Sequence, residues 1–205
     1  MPRPVGARNH DFKEKRAALV DALTDFALEA DLRRPSLRQF AIAAEASEPT
    51  LRHYFDDRAG VVVAILENIG QRGAPIWNTI SVPAESPMEA VEQYYRVADA
   101  GMRFANFTRA HAFGLIEGIA DEKAGKAYLK NMLEPALTSI MDKLRGSPGS
   151  PQSVNALRAA ALAIMSPLLI MSIHQGLLGG DTEAPIDAEA TIGFLQSWLG
   201  TALSA

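Results

Sequence analysis

Two short helices joined by a tight turn are predicted between residues 36 and 55, and this unit constrains the fold more than any other part of the sequence. Ser36 is a good helix cap, and Leu37, Phe40 and Ala41 recur after it at helical spacing. Ser47 is a second cap, and Pro49 fits the first turn of a helix because its missing N–H is not needed there. The pattern therefore predicts one helix after Ser36 and another after Ser47.

The second helix of this pair has two different faces. Leu51 and Phe55 lie four residues apart and share one face, which is expected to pack. The opposite face carries Pro49, Thr50, Arg52 and His53. Its hydroxyl, guanidinium and imidazole groups suit the phosphate oxygens and base edges of duplex DNA. Taken alone, the pattern also fits a capped helix pair without a binding role.

The segment from about Asp11 to Leu66 resembles the DNA-binding domain of the TetR family of transcriptional regulators. In that family the turn reads roughly A-G-V-S, and the recognition helix reads T-L-Y-x-H-F followed by x-S-K. This chain has A-E-A-S at 44–47, T-L-R-H-Y-F at 50–55 and D-D-R at 56–58. The positions that match outright are Ala44, Ser47, Thr50, Leu51 and Phe55, and Arg58 replaces a lysine with another cation.

Two positions depart from the family pattern. Glu45 stands where glycine is common, so the turn either avoids a left-handed backbone conformation or carries strain there. Arg52 stands where tyrosine is common. An arginine can bind guanine O6 and N7 together, so this change is expected to alter the base sequence that is read.

The resemblance implies which residues contact DNA. Thr50, Tyr54 and Arg58 match positions that touch the DNA backbone, while Arg38, Arg52 and His53 are expected to supply base or groove contacts. The complete predicted set is Arg38, Ser47, Pro49, Thr50, Arg52, His53, Tyr54, Arg58, Lys13 and Arg16. Two alternatives stay open, since Tyr54 can pack partly on its own domain and Arg38 can simply solvate its helix.

The domain organisation follows from the apolar pattern and the charge. A helix from about Asp11 to Ala30 has an apolar stripe that would complete a three-helix domain. Residues 1–60 hold ten Lys and Arg against ten Asp and Glu, so the net charge of −4 lies entirely in the remainder. A neutral domain indicates few phosphate contacts per subunit and favours a dimer. We therefore predict a helix-turn-helix DNA-binding domain at 1–60 and a larger domain at 61–205.

The larger domain is predicted to be all-α, which makes the whole chain all-α. Turn signals at Gly70, Gly73 and Pro75 are predicted to follow the fourth helix. Further helices are predicted at about 87–104, 108–120, 122–144, 152–178 and 186–203. By the resemblance, this helical domain binds an effector and forms the dimer.

The last two helices carry more apolar surface than one small domain covers. Between Ala156 and Leu178 only Arg158 is charged, and a helix that is apolar all round must be buried on all sides. The family forms a four-helix bundle from the last two long helices of each subunit, which implies a homodimer and a palindromic operator. The predicted interface consists of Ile164, Leu168, Met171, Gln175, Phe194, Leu195 and Trp198. A wholly intramolecular core is the alternative.

A soft interior rich in aromatic and methionine side chains is predicted in the larger domain. By the resemblance it holds a pocket for a small effector. The candidate pocket residues are Trp77, Tyr94, Tyr95, Met102, Phe107, His111, Phe113, Glu117, Met132, Met165, Met171 and His174. Plain core packing is the alternative for each aromatic residue, and Arg103 and Arg109 either anchor an anionic ligand or solvate their helices.

The sequence therefore predicts a ligand-responsive repressor that binds a palindromic operator as a dimer and is released by a small apolar or amphipathic effector. The alternatives are an activator and a helical interaction protein with a degenerate DNA-binding domain. We expect no enzyme, metal or cofactor, because the chain lacks Cys, a phosphate loop and any triad or metal-ligand spacing. The apolar run 159–173 is too short for a membrane span and the amino terminus lacks a signal core, so a soluble cytoplasmic protein without membrane contact is expected.

Overall fold

The computed structural model describes residues 7–29, 34–104 and 106–204, and the side chains of these ranges except 7–9, 102–104 and 204. The described residues form helices and no β-strand, which confirms the all-α prediction. In chain order the helices are α1 Ala7–Glu29, α2 Leu37–Ala43, α3 Glu48–Phe55, α4 Arg58–Ile80, α5 Pro87–Phe104, α6 Phe107–Ala120, α7 Glu122–Tyr128, a π-helical turn Leu129–Leu133, α8 Glu134–Gly146, α9 Val154–Leu177, α10 Gly180–Glu183 and α11 Ala188–Ser204.

The predicted bounds of α5, α6, α9 and α11 agree with the structure to within two residues. The prediction that turns at Gly70, Gly73 and Pro75 follow the fourth helix is wrong, because α4 continues through all three to Ile80. Tertiary packing outweighs local propensity here, since α4 buries Val61, Ile65 and Ile69 on one apolar face.

The chain divides into two units, each with its own core. Unit 1 comprises Met1–Arg72 and Ala112–Asn131, and unit 2 comprises Gly73–His111 and Met132–Ala205. The boundary that the sequence predicts, between residues 60 and 61, falls inside α4. Residues 112–131 belong to unit 1, although they lie far along the chain from the helix pair. A single boundary at residue 60 places them in the larger domain.

Unit 1 is built around the predicted three-helix core. Its buried side chains include Leu23 and Ala27 of α1, Phe40 of α2, and Leu51 and Phe55 of α3. At the edge of this core α4 is tied to α1, because the guanidinium of Arg72 pairs with Asp21 at 3.0 Å and Asp25 at 2.5 Å.

Helices α6 and α7 cross closely within unit 1 because glycines meet at the crossing. A Cβ on Gly125 would lie 2.8 Å from the carbonyl oxygen of Gly118, and a Cβ on Gly118 would lie 3.1 Å from Cα of Gly125. Any larger residue would force the two backbones apart. This crossing holds the carboxyl-terminal half of α6 in place.

Unit 2 packs α5, α8, α9 and α11 around one apolar core. Lys143 of α8 is buried and donates from Nζ to the carbonyl oxygen of Val82 at 2.5 Å and to Oε1 of Gln93 at 2.6 Å. Burial lowers the pKa of this lysine, while the charge of Glu89 acts in the opposite direction. The lysine therefore fastens α8 to the α4–α5 connection and to α5.

Helix α9 is long and apolar enough to cross a membrane by length and composition alone. In this fold it instead lies in the core of unit 2. Leu157, Ala161, Ile164 and Leu168 are buried on its inner face, and Arg158 pairs with Glu134 of α8 at 2.6 Å. These contacts are typical of the core helix of a globular domain.

The turn between α2 and α3 is strained at one residue. Glu45 has a φ of 49°, in the left-handed region that favours glycine. Of the two possibilities that the sequence leaves open for Glu45, the structure shows the left-handed one. The neighbouring hydrogen bonds, from Ala46 N to the Ala41 carbonyl at 2.9 Å and from Ala44 N to the Phe40 carbonyl at 3.0 Å, hold the turn in this shape.

The substitution Glu45→Gly is expected to stabilise the protein by about 1 kcal/mol, because relief of the left-handed strain exceeds the added flexibility of the unfolded chain. The urea midpoint of unfolding should rise accordingly. Glu45→Ala is the matched control, since it removes the same charge but keeps a Cβ, and it should bring no stabilisation. Equal stabilisation by both variants would show that charge, not backbone strain, matters at this turn.

Candidate nucleic-acid interface and ligand cavity

Helix α3 begins at an amino-terminal cap formed by Ser47. Oγ of Ser47 accepts from the backbone N–H of Thr50 at 3.2 Å and lies 2.8 Å from Oγ1 of Thr50. Leu51 and Phe55 are buried in the core of unit 1. The cap and these two anchors fix both the start and the rotation of α3, so its other face is held outward.

The outward face of α3 carries the side chains that the sequence singles out. Pro49, Arg52 and His53 are exposed, and Thr50 and Tyr54 are half-buried. The guanidinium of Arg52 makes no hydrogen bond or ion pair within the described part of the chain. Its donors are therefore available to a ligand.

An aromatic cluster from α1 supports this face. The ring of Phe12 lies 4.6 Å from that of Tyr54, at an angle of 33°, and 5.7 Å from that of His53, edge to face. Tyr54 thus packs partly on its own domain, which is the alternative left open by the sequence. Such contacts limit the rotamers of both rings and keep their polar atoms near the surface.

Basic residues of α1 and α2 differ in their solvent exposure and in their contacts within unit 1. Lys13 and Arg38 are exposed. Arg16 is half-buried, with its guanidinium 5.2 Å from the centroid of the Phe55 ring, so it stabilises the domain through a cation–π contact. Lys15, which the predicted set leaves out, borders an open groove beside Thr50 and Tyr54. Its spacing of three residues from Phe12 could have placed it on this side of α1.

Arg58, for which the sequence predicts a phosphate contact, has partners within unit 1. Its Nη1 and Nη2 donate to Oε2 and Oε1 of Glu117 at 2.9 and 2.5 Å, and its Nε donates to the carbonyl oxygen of Pro35 at 2.6 Å. Its guanidinium also lies 5.8 Å from the centroid of the Phe40 ring. Because all three nitrogens already have partners in unit 1, these contacts favour a structural role for Arg58.

Glu117 is the acceptor at the centre of this arrangement. Its side chain is only 1% exposed, and Nε of Arg34 pairs with it at 3.3 Å in addition to Arg58. A buried carboxylate needs such partners, since an unpaired buried charge is strongly unfavourable. Glu117 was predicted as a pocket residue; it instead joins α6 to the first residue of α4 and to the segment before α2.

Unit 2 contains a small cavity, called here the ligand cavity, of about 50 Å³. Its lining consists of Ile76, Trp77, Ile80, Tyr94, Ala98, Gly101, Phe107, Thr108, His111, Ala136, Met165, Leu168, Leu169 and Ser172. Burial lowers the pKa of His111 to about 4, so the imidazole is neutral at neutral pH. Burial likewise raises the pKa of Tyr94. The cavity is thus an apolar, uncharged environment in its described part.

The structure brings together five of the predicted pocket residues. Trp77, Tyr94, Phe107, His111 and Met165 line the ligand cavity. Tyr95, Phe113, Met132 and Met171 are packed in core positions elsewhere, and His174 lies beside Gln175, with Nδ1 2.7 Å from Nε2. The side chain of Met102 lies outside the described residues. Small lining residues such as Ala98, Gly101 and Ala136 were missed, because they leave space without carrying a chemical signal.

The predicted dimer residues separate into inner and outer groups. Ile164, Leu168 and Leu195 are buried in the core of unit 2, together with Met171, so they are not available at the surface. Their burial within one chain is the physical reason for this correction.

The outer group is at least partly exposed to solvent. Phe194 and Trp198 are 68% and 58% exposed, and their rings stack with centroids 6.5 Å apart. Leu162 and Ile170 on α9 are exposed as well. Gln175 is half-buried, with its amide bonded to the 184–186 segment. Sequence spacing alone could not show which face of α9 remains outside.

His10, Asp11 and Glu14 form the one described group of side chains close enough together to hold a metal ion. All three are exposed, and Nδ1 of His10 already lies 3.2 Å from a carboxylate oxygen of Glu14. Exposed acidic groups at helical spacing are commonly just solvated, so this group does not contradict the expectation of no metal.

No protein-family model matches the sequence, and no curated protein matches it either. Solved structures do match the fold. A protein from Mesorhizobium loti assigned to the TetR family of transcriptional regulators superposes with a TM-score of 0.61 at 15% identity, over 94% of this chain and 96% of that one.

Two further structures agree with this likeness. The fatty acid degradation regulator FadR from Bacillus halodurans gives a TM-score of 0.59 at 14% identity, over 97% of each chain. A TetR family transcription regulator from Marinobacter aquaeolei gives 0.53 at 14% identity, over 96% of this chain and 98% of that one. The chain therefore has the fold of TetR-family regulators along nearly its whole length.

Removing Arg58 is expected to destabilise unit 1 without changing the number of phosphate contacts. Arg58→Ala should lower the free energy of unfolding by about 2–3 kcal/mol, because among the described residues Glu117 keeps just the partly exposed Arg34 as a partner. DNA affinity should fall through misplacement of the helix pair, and the slope of affinity against salt should stay the same.

Glu117→Gln separates this role from a phosphate contact. It should also destabilise the protein and weaken DNA binding, since it removes the charge that holds Arg58. If Arg58 bound phosphate instead, freeing it by Glu117→Gln would leave DNA affinity unchanged or raise it. Urea unfolding and salt-dependent binding titrations on both variants measure these effects.

Proposed function

We propose that this protein is a DNA-binding transcriptional regulator of the TetR family that acts in the cytoplasm as a homodimer. It represses by occupying a palindromic operator and leaves the DNA when a small apolar effector binds unit 2. The single observation that carries the proposal is the outward face of α3, where Arg52, which has no partner among the described residues, stands beside His53, Thr50 and Tyr54 on a helix fixed by its cap and core.

The DNA contacts divide by chemistry. Arg52 and His53 are exposed and suit base edges in the major groove, where a guanidinium can bind guanine through two hydrogen bonds. Thr50, the Tyr54 hydroxyl and Lys13 suit phosphate oxygens, which fix position but read no sequence. Glu48 at the first turn of α3 opposes nearby phosphates and so reduces affinity for nonspecific DNA.

Dimerisation uses the outer faces of α9 and α11. Phe194 and Trp198 form an exposed stacked pair, and Leu162 and Ile170 expose further apolar surface. Exposed aromatic patches of this kind mark interaction surfaces, and a twofold axis makes the same patch serve both partners. A dimer also allows two α3 helices to enter successive major grooves about 34–36 Å apart.

The link between effector and DNA runs along two helices. Helix α4 carries Arg58 at its start and Trp77 in the ligand cavity, and α6 carries His111 in the cavity and Glu117 farther along. The Arg58–Glu117 ion pair joins these same helices. An effector that spreads their cavity-lining parts therefore strains the contact that fixes the start of α4, directly after α3.

The chemistry of the ligand cavity favours an apolar effector. Its described lining is almost entirely aliphatic and aromatic. An effector releases DNA only by its differential affinity for two states, for which typical couplings are about 1–3 kcal/mol.

Truncating Arg52 is expected to change which sequences are bound. Arg52→Ala should cost about 1–3 kcal/mol on the operator and relax discrimination at one base pair of each half-site. The operator is obtained by selection from random duplexes, and affinities are measured on operator and scrambled DNA at several salt concentrations.

Lys13→Ala is the matched control for this test. It should weaken all duplexes alike and reduce the salt slope by about one, as expected for a phosphate contact. Unchanged discrimination by the Arg52 variant would refute its role as a base-reading residue, and the absence of any salt-sensitive duplex binding by the wild type would refute the proposed function.

The double variant Phe194→Glu with Trp198→Glu is expected to be a folded monomer. Charges placed in the outer patch would be buried without partners in a dimer. Sedimentation should show the mass of one chain, helical circular dichroism should be kept, and affinity for the palindrome should fall by at least roughly tenfold, since two linked half-site contacts are lost.

Ile119→Glu provides the control for this experiment. Ile119 is 86% exposed on α6 and belongs to neither α9 nor α11, so its substitution should leave the dimer intact. A dimer that survives the double substitution would place the interface elsewhere.

A further inference from the structure

The indole N–H of Trp77 is a buried donor without an acceptor in the described part of the chain. Its Nε1 is inaccessible to solvent and has no hydrogen-bond partner among the described residues, while Trp77 lines the ligand cavity. Buried N–H groups nearly always have a partner, because an unpaired one has lost its hydrogen bond to water. The ring packs against Gly73 of α4, where an added Cβ would lie 3.1 Å from Cζ2 of Trp77, and this apolar contact supplies no acceptor. The position of the ring at the cavity points to an acceptor that comes from a ligand.

The remaining polar groups of the cavity are uncharged. Among its described lining residues there is no Asp, Glu, Lys or Arg; Tyr94, Thr108 and Ser172 contribute hydroxyls, and His111 contributes a neutral imidazole. An ion transferred into such surroundings loses its hydration without gaining a partner of opposite charge. The lining therefore discriminates against charged ligands and tolerates a small number of neutral polar atoms.

The geometry points to an uncharged, mainly apolar effector with a hydrogen-bond acceptor, such as a ketone, ester or lactone oxygen, that accepts from Nε1 of Trp77. This inference deepens the proposed function and rests on it in one respect, namely that the ligand cavity is the effector site. It assigns to Trp77 the specificity of that site.

The size of the cavity adds a requirement. Its volume of about 50 Å³ is well below the roughly 150 Å³ of an apolar cavity that accepts benzene. A ligand with one ring must therefore displace lining side chains. Met165 is suited to move, since its side chain is unbranched and flexible. Ala98 and Ala136 line the same cavity, and their small side chains leave space for this movement.

Three probes with the same phenyl ring and a substituent four non-hydrogen atoms long test the acceptor and the charge separately. They are 4-phenylbutan-2-one, butylbenzene and 3-phenylpropanoate, which end in a ketone, a methyl group and a carboxylate. Their dissociation constants are measured by calorimetry at pH 7 with the full chain, the Trp77→Phe variant and the Phe107→Leu variant. Phe107→Leu is the matched control, because it removes aromatic surface from the same cavity and no donor.

Trp77→Phe should weaken the ketone by about three- to tenfold, the usual net effect of one hydrogen bond, and leave butylbenzene within about twofold. Phe107→Leu should weaken the two probes alike. The carboxylate should bind the wild type at least about tenfold more weakly than the ketone. In NMR spectra, the Nε1–H resonance of Trp77, identified by its loss in Trp77→Phe, should move downfield with the ketone only.

Several results would overturn the inference. These are equal weakening of ketone and hydrocarbon by Trp77→Phe, tightest binding by the carboxylate, and failure of all three probes to bind at millimolar concentration. Operator affinity measured with and without each probe keeps the proposed function separate. If the ketone binds through Trp77 but leaves operator affinity unchanged, the ligand class stands and the effector role of the cavity fails.

Discussion

The buried carboxylate of Glu117 is the constraint on which the placement of the helix pair depends. Its charge cannot stay unpaired inside unit 1, so α6 must keep Arg58 and Arg34 within reach. Arg58 in turn holds the Pro35 carbonyl just before α2 and begins α4 three residues after Phe55 ends α3. One carboxylate thereby fixes the entry to the first helix of the pair and the exit from the second. The exposed face of α3 is only as well oriented as this contact.

Local signals in the sequence were sufficient to find α3 and its faces. A cap such as Ser47 acts on a residue three positions away, and the burial of Leu51 and Phe55 follows from spacing within one helix. The partner of Arg58 lies 59 residues along the chain, so no local pattern could reveal it. In the sequence, a cation that follows α3 looks the same whether it binds a phosphate or a buried carboxylate. The φ of Glu45 was likewise limited to two alternatives, and only the folded turn decides between them.

The cavity and the outer apolar faces show where sequence periodicity stops being informative. Helix α9 is apolar on nearly every side, so its spacing defines stripes without saying which stripe α5, α8 and α11 will cover. Those helices cover Ile164 and Leu168 and leave Leu162 and Ile170 outside. Aromatic and methionine content predicted that unit 2 has a soft interior. The free space lies beside Ala98, Gly101 and Ala136, which are too small to fill it.

The small size of the cavity and the ion pair between α4 and α6 have a joint consequence for the proposed regulation. A cavity already large enough for its ligand could bind without moving either helix, and binding would then leave the Arg58–Glu117 contact as it was. A cavity of about 50 Å³ has to expand to admit the proposed one-ring effector, and Trp77 on α4 and His111 on α6 lie in its wall. Under the proposed function, the energy of expansion is drawn from ligand binding and applied to the two helices that the ion pair joins. A ligand that fits the unexpanded cavity poorly favours the expanded state. Equal affinity for both states would shift no equilibrium.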